Sequence, residues 1–219
     1  MIEIKAVQTF VMVAAAALAL GAVELMAQHQ HSGGGNPTRY ESEGRDEWQK
    51  PDKIVGLLDL KAGMVVADIG ASSGYFSRRF SKAVGASGRV LAVDLDTEAL
   101  AWLANKADEL GMSNIDTVHA DADDPHLPAG KVDLVFFCNT LHHIGDRVEY
   151  LRRLKSALKD DGRVAVLDFY KKDLPVGPQG PGHKLSWNEA YRALRDAGYK
   201  VVREPQHLLY QYFIIARPE

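Results

Sequence analysis

The chain has 219 residues, 46% of them hydrophobic and 25% charged, enough for one domain with a substantial core. A net charge of −3 argues against a general nucleic-acid binder, because phosphate contact wants a clustered basic surface. The single cysteine, Cys138, excludes an intramolecular disulfide and any multi-cysteine metal centre.

Residues 1–27 differ in character from the rest. Residues 6–23 are nearly all apolar, interrupted only by Gln8 and Thr9, and Glu24 ends the run. This is the layout of a secretory signal peptide, or of an N-terminal anchor that stays attached. Cleavage is undecided, since Leu25 stands where cutting after Ala27 wants a small residue. The expectation is an exported or membrane-anchored protein, with a cytoplasmic one as the alternative and any membrane contact confined to this segment. Residues 28–45, with Gly33, Gly34, Gly35 and Pro37, read as a flexible linker. His29 and His31 within it read as part of a solvated tail, and no metal site is expected.

From residue 46 the chain alternates helix and strand patterns. Pro51 and Asp52 open a helix carrying Ile54, Val55, Leu57 and Leu58, and a strand covers residues 64–69. A glycine turn follows, then a helix over about 74–84 with Tyr75, Phe76 and Phe80 at helical spacing. The second strand, 89–93, ends at Asp94, and the next helix begins near Thr97 with Asp96 or Thr97 as its cap. Strands at 115–119 and 132–137 come next, then a helix carrying Val148, Leu151, Leu154 and Leu158. Asp160, Asp161 and Gly162 read as a turn into a strand at 163–168. After a proline- and glycine-rich loop at 174–182, a helix at about 186–197 precedes strands at 199–204 and 209–217. Strands separated by helices imply a parallel sheet with right-handed crossovers, and the final short connection implies an antiparallel pair.

The informative turn reads Asp68-Ile69-Gly70-Ala71-Ser72-Ser73-Gly74. A dinucleotide fingerprint would need glycines at 72 and 75, where Ser72 and Tyr75 stand, so a nicotinamide-dependent oxidoreductase is disfavoured. The pattern Asp-x-Gly-x-Ser-x-Gly resembles motif I of the class I S-adenosylmethionine-dependent methyltransferases, (D/E)-x-G-x-G-x-G, with Ser72 replacing the middle glycine. A carboxylate facing that turn repels pyrophosphate and suits a ligand carrying an ammonium and a sulfonium. The resemblance covers residues 46–219. It implies a doubly wound α/β fold with helices on both faces, a mostly parallel seven-stranded sheet in the order 3-2-1-4-5-7-6, and an antiparallel last strand.

The same resemblance assigns the cofactor side of the site. Asp68, Gly70, Ser72 and Gly74 form the cofactor turn, Asp94 takes both ribose hydroxyls, and Asp121 takes the adenine amino group. Asn139, after the fourth strand, lies near the methyl-donor sulfur. His142, His143 and His183 are the candidate bases on the acceptor side, with Asp168 and Tyr170 as orienting groups; the alternative for His142 and His143 is to shape the pocket, since alignment alone can drive the reaction. His183 with Lys184, and Trp48 with Gln49, are the candidate lid. The segment after strand four lacks the Asn-Pro-Pro-Tyr signature of enzymes that methylate base amines, which points away from nucleic acid. The expected function is methyl transfer to a small molecule by in-line displacement, with S-adenosyl-L-methionine as cofactor. An exported protein that keeps the nucleoside pocket without turnover is the alternative.

Overall fold

The computed structural model describes residues 36–205 and 208–219, so the apolar segment 1–27, His29 and His31 lie outside the described residues. Seven strands form one sheet: β1 (Val65–Ile69), β2 (Arg89–Asp94), β3 (Ile115–His119), β4 (Val132–Cys138), β5 (Leu158–Phe169), β6 (Tyr199–Arg203) and β7 (Gln211–Pro218). Their order is β3-β2-β1-β4-β5-β7-β6, and β7 runs antiparallel to both β5 and β6. The doubly wound sheet expected from the sequence is therefore the fold observed.

The helices are α1 (Arg45–Gln49), α2 (Pro51–Leu57), α3 (Ser77–Val84), α4 (Thr97–Glu109), α5 (Arg147–Leu154) and α6 (Trp187–Asp196). Alternation along the strands sorts the core onto two faces. Val66, Leu134, Phe136, Ala165 and Phe213 pack with Ile54 and Leu58 on one face and with Phe76, Phe80 and Val84 of the α3 region. Ala67, Val135, Phe137, Val166 and Ile214 pack on the other against Leu151 and Leu154 of α5 and Leu194 of α6. Asp96 caps α4 by accepting from the Glu98 and Ala99 N–H groups, as its position suggests. Ser186 and Glu189 close a capping box on α6. Among the described residues no helix is long and apolar enough to cross a membrane.

Several boundaries differ from expectation, the last strand among them, which begins at Gln211 and not at 209. The helix after the turn begins at Ser77 rather than 74, because Gly74 takes a left-handed φ of 76° that no helix continues through. Leu158 belongs to β5, pairing with Val132, and not to the preceding helix. Asp160, Asp161 and Gly162 lie inside β5, where the register shifts from Leu158 to Arg163 opposite Val132 and Leu134, so they bulge out of the strand instead of leading into it. Residues 36–45 also depart from the linker reading. They fold with the domain, which spans Asn36–Glu219, and bring Arg45 to near-complete burial.

Candidate cofactor and acceptor site

The carboxyl ends of β1, β2, β4 and β5 meet at one edge, where crossovers leave a crevice in sheets of this kind. Gly70 turns the chain at φ 74°, and a Cβ there would overlap the Thr140 side chain that follows β4. The turn after β1 and the turn after β4 are thus in contact. Gly74 has a different reason to be glycine: a Cβ would overlap Leu103 of α4. Ser72 adopts the left-handed conformation itself, at φ 48°, so it keeps the backbone path a middle glycine would take.

Asp94 binds this turn directly. Its Oδ2 accepts from the Ser72 N–H at 2.8 Å and its Oδ1 from the Asp96 N–H at 3.0 Å. The carboxylate is half-buried, and each oxygen keeps a lone pair for a further donor, which is what a vicinal diol presents. Asp68, expected to face the turn, instead lies beneath it at 3% exposure, accepting from Ser77 Oγ at 2.6 Å. Burial, more than the nearby Asp94 charge, pushes its carboxyl up to about 6 against the Ser77 hydrogen bond. Its carboxyl thus sits under the turn and not on the open side of it. Asp121 is exposed after β3 and meets His126 Nε2 at 2.9 Å, while Asp123 pairs with Arg153.

A segment the sequence left as a lid or linker holds the other wall. Arg45 stacks its guanidinium 3.7 Å from the Tyr75 ring centroid and donates to Gln49 Oε1 and to the Tyr40 carbonyl. Glu41 accepts from Ser73 Oγ and pairs with Arg78 at 2.6 Å. Tyr75 donates its hydroxyl to Asp46. Gln49, fully buried, donates to Gln211 Oε1 at 2.9 Å, and Gln211 donates to Asn139 Oδ1 at 2.8 Å. Asn139 is held at φ 55° at the end of β4 by this relay. Trp48 lies 5.5 Å from the Phe169 ring. Gln49 is therefore an anchor beneath the crevice, and only Trp48 keeps the place of a covering residue. Lys184 is likewise buried, donating to the Lys172 carbonyl at 2.7 Å.

The three candidate histidines do come together. The His142 and His143 rings are 4.1 Å apart, and those of His143 and His183 6.1 Å. Asp168 orients one of them, its Oδ2 lying 3.0 Å from His142 Nδ1. Tyr170 orients none; its ring sits 5.9 Å from Tyr212. Burial pushes the Cys138 thiol up to about 12, which keeps it a protonated core residue. Among the described residues no group of three His, Cys, Asp or Glu side chains is placed to hold a metal ion. Sequence reading missed Arg45, Gln211 and His126. Arg45 lies in a run of charged residues that reads as a solvated face, and a lone glutamine opening an apolar strand was the only local sign of Gln211.

Fold and turn together define an α/β protein built to take a nucleoside at the carboxyl edge of its sheet. A family model described as "Methyltransferase domain" matches residues 66–162. The chain is similar to an S-adenosylmethionine-dependent methyltransferase of Aquifex aeolicus, with TM-score 0.77 and 29% identity, covering 83% of this chain and 98% of that one. It is 31% identical over 118 residues to the ubiquinone/menaquinone biosynthesis C-methyltransferase UbiE of Hahella chejuensis, covering 53% of this chain and 47% of the relative. The chain thus spans about half the length of the curated relatives it matches. Magnesium protoporphyrin IX methyltransferase of Synechocystis, solved with bound S-adenosylmethionine, shares the fold at TM-score 0.59 and 20% identity, over 79% of this chain and 83% of that one. Residues 66–162 thus match a methyltransferase domain, and the chain shares the fold of S-adenosylmethionine-dependent methyltransferases.

Proposed function

We propose that this chain transfers the methyl group of S-adenosyl-L-methionine to a small-molecule acceptor by in-line displacement. The observation that carries the reading is Asp94, fixed by the Ser72 and Asp96 N–H groups at the end of β2 with lone pairs left for a ribose. Gly70, Ser72, Gly74 and Asp94 would cradle the cofactor with Asp68 beneath the turn, Asp121 would take its adenine, and Asn139 would lie beside the donor end. Bound there, the cofactor supplies a methyl carbon made electrophilic by its sulfonium. The net charge of −3 and the absence of a base-amine signature support a small molecule over nucleic acid.

Calorimetric titration with S-adenosylhomocysteine tests this. Asp94→Ala is expected to weaken binding at least about tenfold, because charge-assisted hydrogen bonds are worth about 1.5–3 kcal/mol each. The alanine also strips the turn of its two acceptors, so Asp94→Asn separates lost charge from a loosened turn. Unchanged affinity in both variants would sink the ribose assignment.

The apolar run at 6–23 supports export or membrane attachment of the domain, with any membrane contact through that segment alone. A reporter fused after Gly35 is expected to act outside the cytoplasm; activity only inside it would overturn this.

A further inference from the structure

We propose that His142, oriented by Asp168, is the base that takes the acceptor's proton, and that the acceptor is a neutral molecule with a phenol-like hydroxyl. The inference rests on the methyl-transfer reading and adds the chemical class of the second substrate.

Geometry carries it. The His142 side chain is 4% exposed and the Asp168 side chain 0%. Asp168 Oδ2 lies 3.0 Å from His142 Nδ1, and Oδ1 accepts from the Phe169 N–H at 2.8 Å. A carboxylate on Nδ1 selects the tautomer with its proton there and leaves Nε2 as an acceptor. Among the described residues Nε2 has no hydrogen-bond partner, yet no fully buried side-chain nitrogen or oxygen is left unpaired, so Nε2 keeps some exposed surface. The backbone that carries the ring is clamped as well. Arg147 donates from Nε to the Leu141 carbonyl at 3.0 Å and from Nη2 to the His142 carbonyl at 3.3 Å. That short turn begins at Thr140, which touches Gly70 of the cofactor turn. A rigid imidazole with one nitrogen committed to a carboxylate and the other open therefore stands beside the cofactor crevice.

The charged and titratable groups around it are few. Asp168 faces it from β5, His143 lies alongside, Arg147 meets its backbone from α5, and His183 stands beyond His143.

The need for a base narrows the acceptor. A neutral amine attacks with its own lone pair, and a thiol near pKa ~8.5 is partly ionised without help. A phenolic hydroxyl near pKa ~10 is almost wholly protonated at neutral pH and is a poor nucleophile in that form. The proton passes from the hydroxyl to His142 Nε2, and the oxygen's freed pair forms the bond to the methyl carbon. The carbon–sulfur pair stays on sulfur, leaving a neutral thioether, and Nε2 then returns the proton to water. The Asp168 carboxylate, a positioning group, keeps the resulting imidazolium paired.

The test uses the full chain and phenols graded in acidity, with 4-nitrophenol at the acidic end and thiophenol as a control. With the weakly acidic phenols, His142→Gln is expected to lower kcat/KM by about 10²–10⁴-fold. The loss should shrink towards none for phenols already ionised at the assay pH and for thiophenol, while S-adenosylhomocysteine affinity by calorimetry stays within about twofold. Nitrogen-15 NMR of the ligand-free protein should place the neutral His142 proton on Nδ1, and Asp168→Asn should abolish that preference. If Asp168→Asn does not fold, the wild-type tautomer and the His142→Gln series decide alone. A loss equal across all phenols would show a merely structural histidine and overturn the proposal. So would a protein that binds S-adenosylhomocysteine but methylates no phenol. A chain that fails to bind S-adenosylhomocysteine overturns the cofactor reading instead, and this proposal with it.

Discussion

Gly70→Ala is expected to lower the unfolding free energy by about 3 kcal/mol, the sum of about 1–2 for a side chain at left-handed φ and about 1–3 for overpacking. Both parts have a visible cause. Gly70 sits at φ 74°, and a Cβ there would run into Thr140, whose Oγ1 also donates to the Cys138 carbonyl at 3.1 Å. Thr140→Ala removes the two atoms a new Cβ would strike hardest. The double variant should recover the overpacking share and retain the backbone share, a coupling that urea denaturation resolves. S-adenosylhomocysteine affinity should fall with the single variant, since the turn that carries Ser72 must move. A loss below about 1 kcal/mol would mean that the turn relaxes freely and that contact between the two turns constrains nothing.

Asp68→Asn is the second large effect, and its sign depends on pH. Folding raises the Asp68 carboxyl from 3.8 to about 6, with burial the principal cause. Below 3.8 the group is protonated in both states and the shift has no effect on stability. Between 3.8 and about 6 the folded state holds the extra proton, so stability falls as pH rises through this window. Above about 6 the full penalty is present, about 3 kcal/mol at 1.36 kcal/mol per unit. The asparagine keeps an oxygen for Ser77 Oγ and carries no charge. Its stability relative to wild type should therefore be more favourable at pH 8 than at pH 4 by up to about 3 kcal/mol, whatever constant cost its amide introduces. A pH-independent difference would show that the carboxyl is not shifted. A carboxylate kept under the turn despite this cost is consistent with a cationic ligand above it, and the same variant should bind S-adenosylhomocysteine more weakly.

Most of the sheet was legible because its information is local. β3 falls at the expected residues, and β1, β2 and β4 within one residue, since apolar runs bounded by glycine and acid mark buried parallel strands. The turn was legible for the same reason: an acid and two glycines at fixed spacing after a strand. The start of α3 was misplaced because the aromatic period at Tyr75 and Phe76 runs back to Gly74, whose left-handed φ is not visible in that period. Arg45 was invisible because a charged residue amid Glu43, Asp46 and Glu47 is ordinarily solvated. Here an aromatic face and two acceptors replace water, a circumstance written in Tyr75, Gln49 and Tyr40 and not in Arg45 itself. His142 and Asp168 both stood among the candidates, but which histidine Asp168 would meet depended on the pairing of β4 with β5.

The relay from Gln49 through Gln211 to Asn139 also bears on how the molecule is made. β7, which carries Gln211, comes last of the seven strands in chain order, yet it inserts between β5 and β6 instead of adding at an edge. Until it arrives, Gln49 lacks its amide partner and Asn139 lacks the donor that fixes its left-handed backbone. A nascent chain, even one with β1 through β5 assembled, therefore carries an unfinished crevice. Completion of the crevice waits on β7, whose Gln211 joins the Gln49 amide ahead of the sheet to Asn139 at its middle.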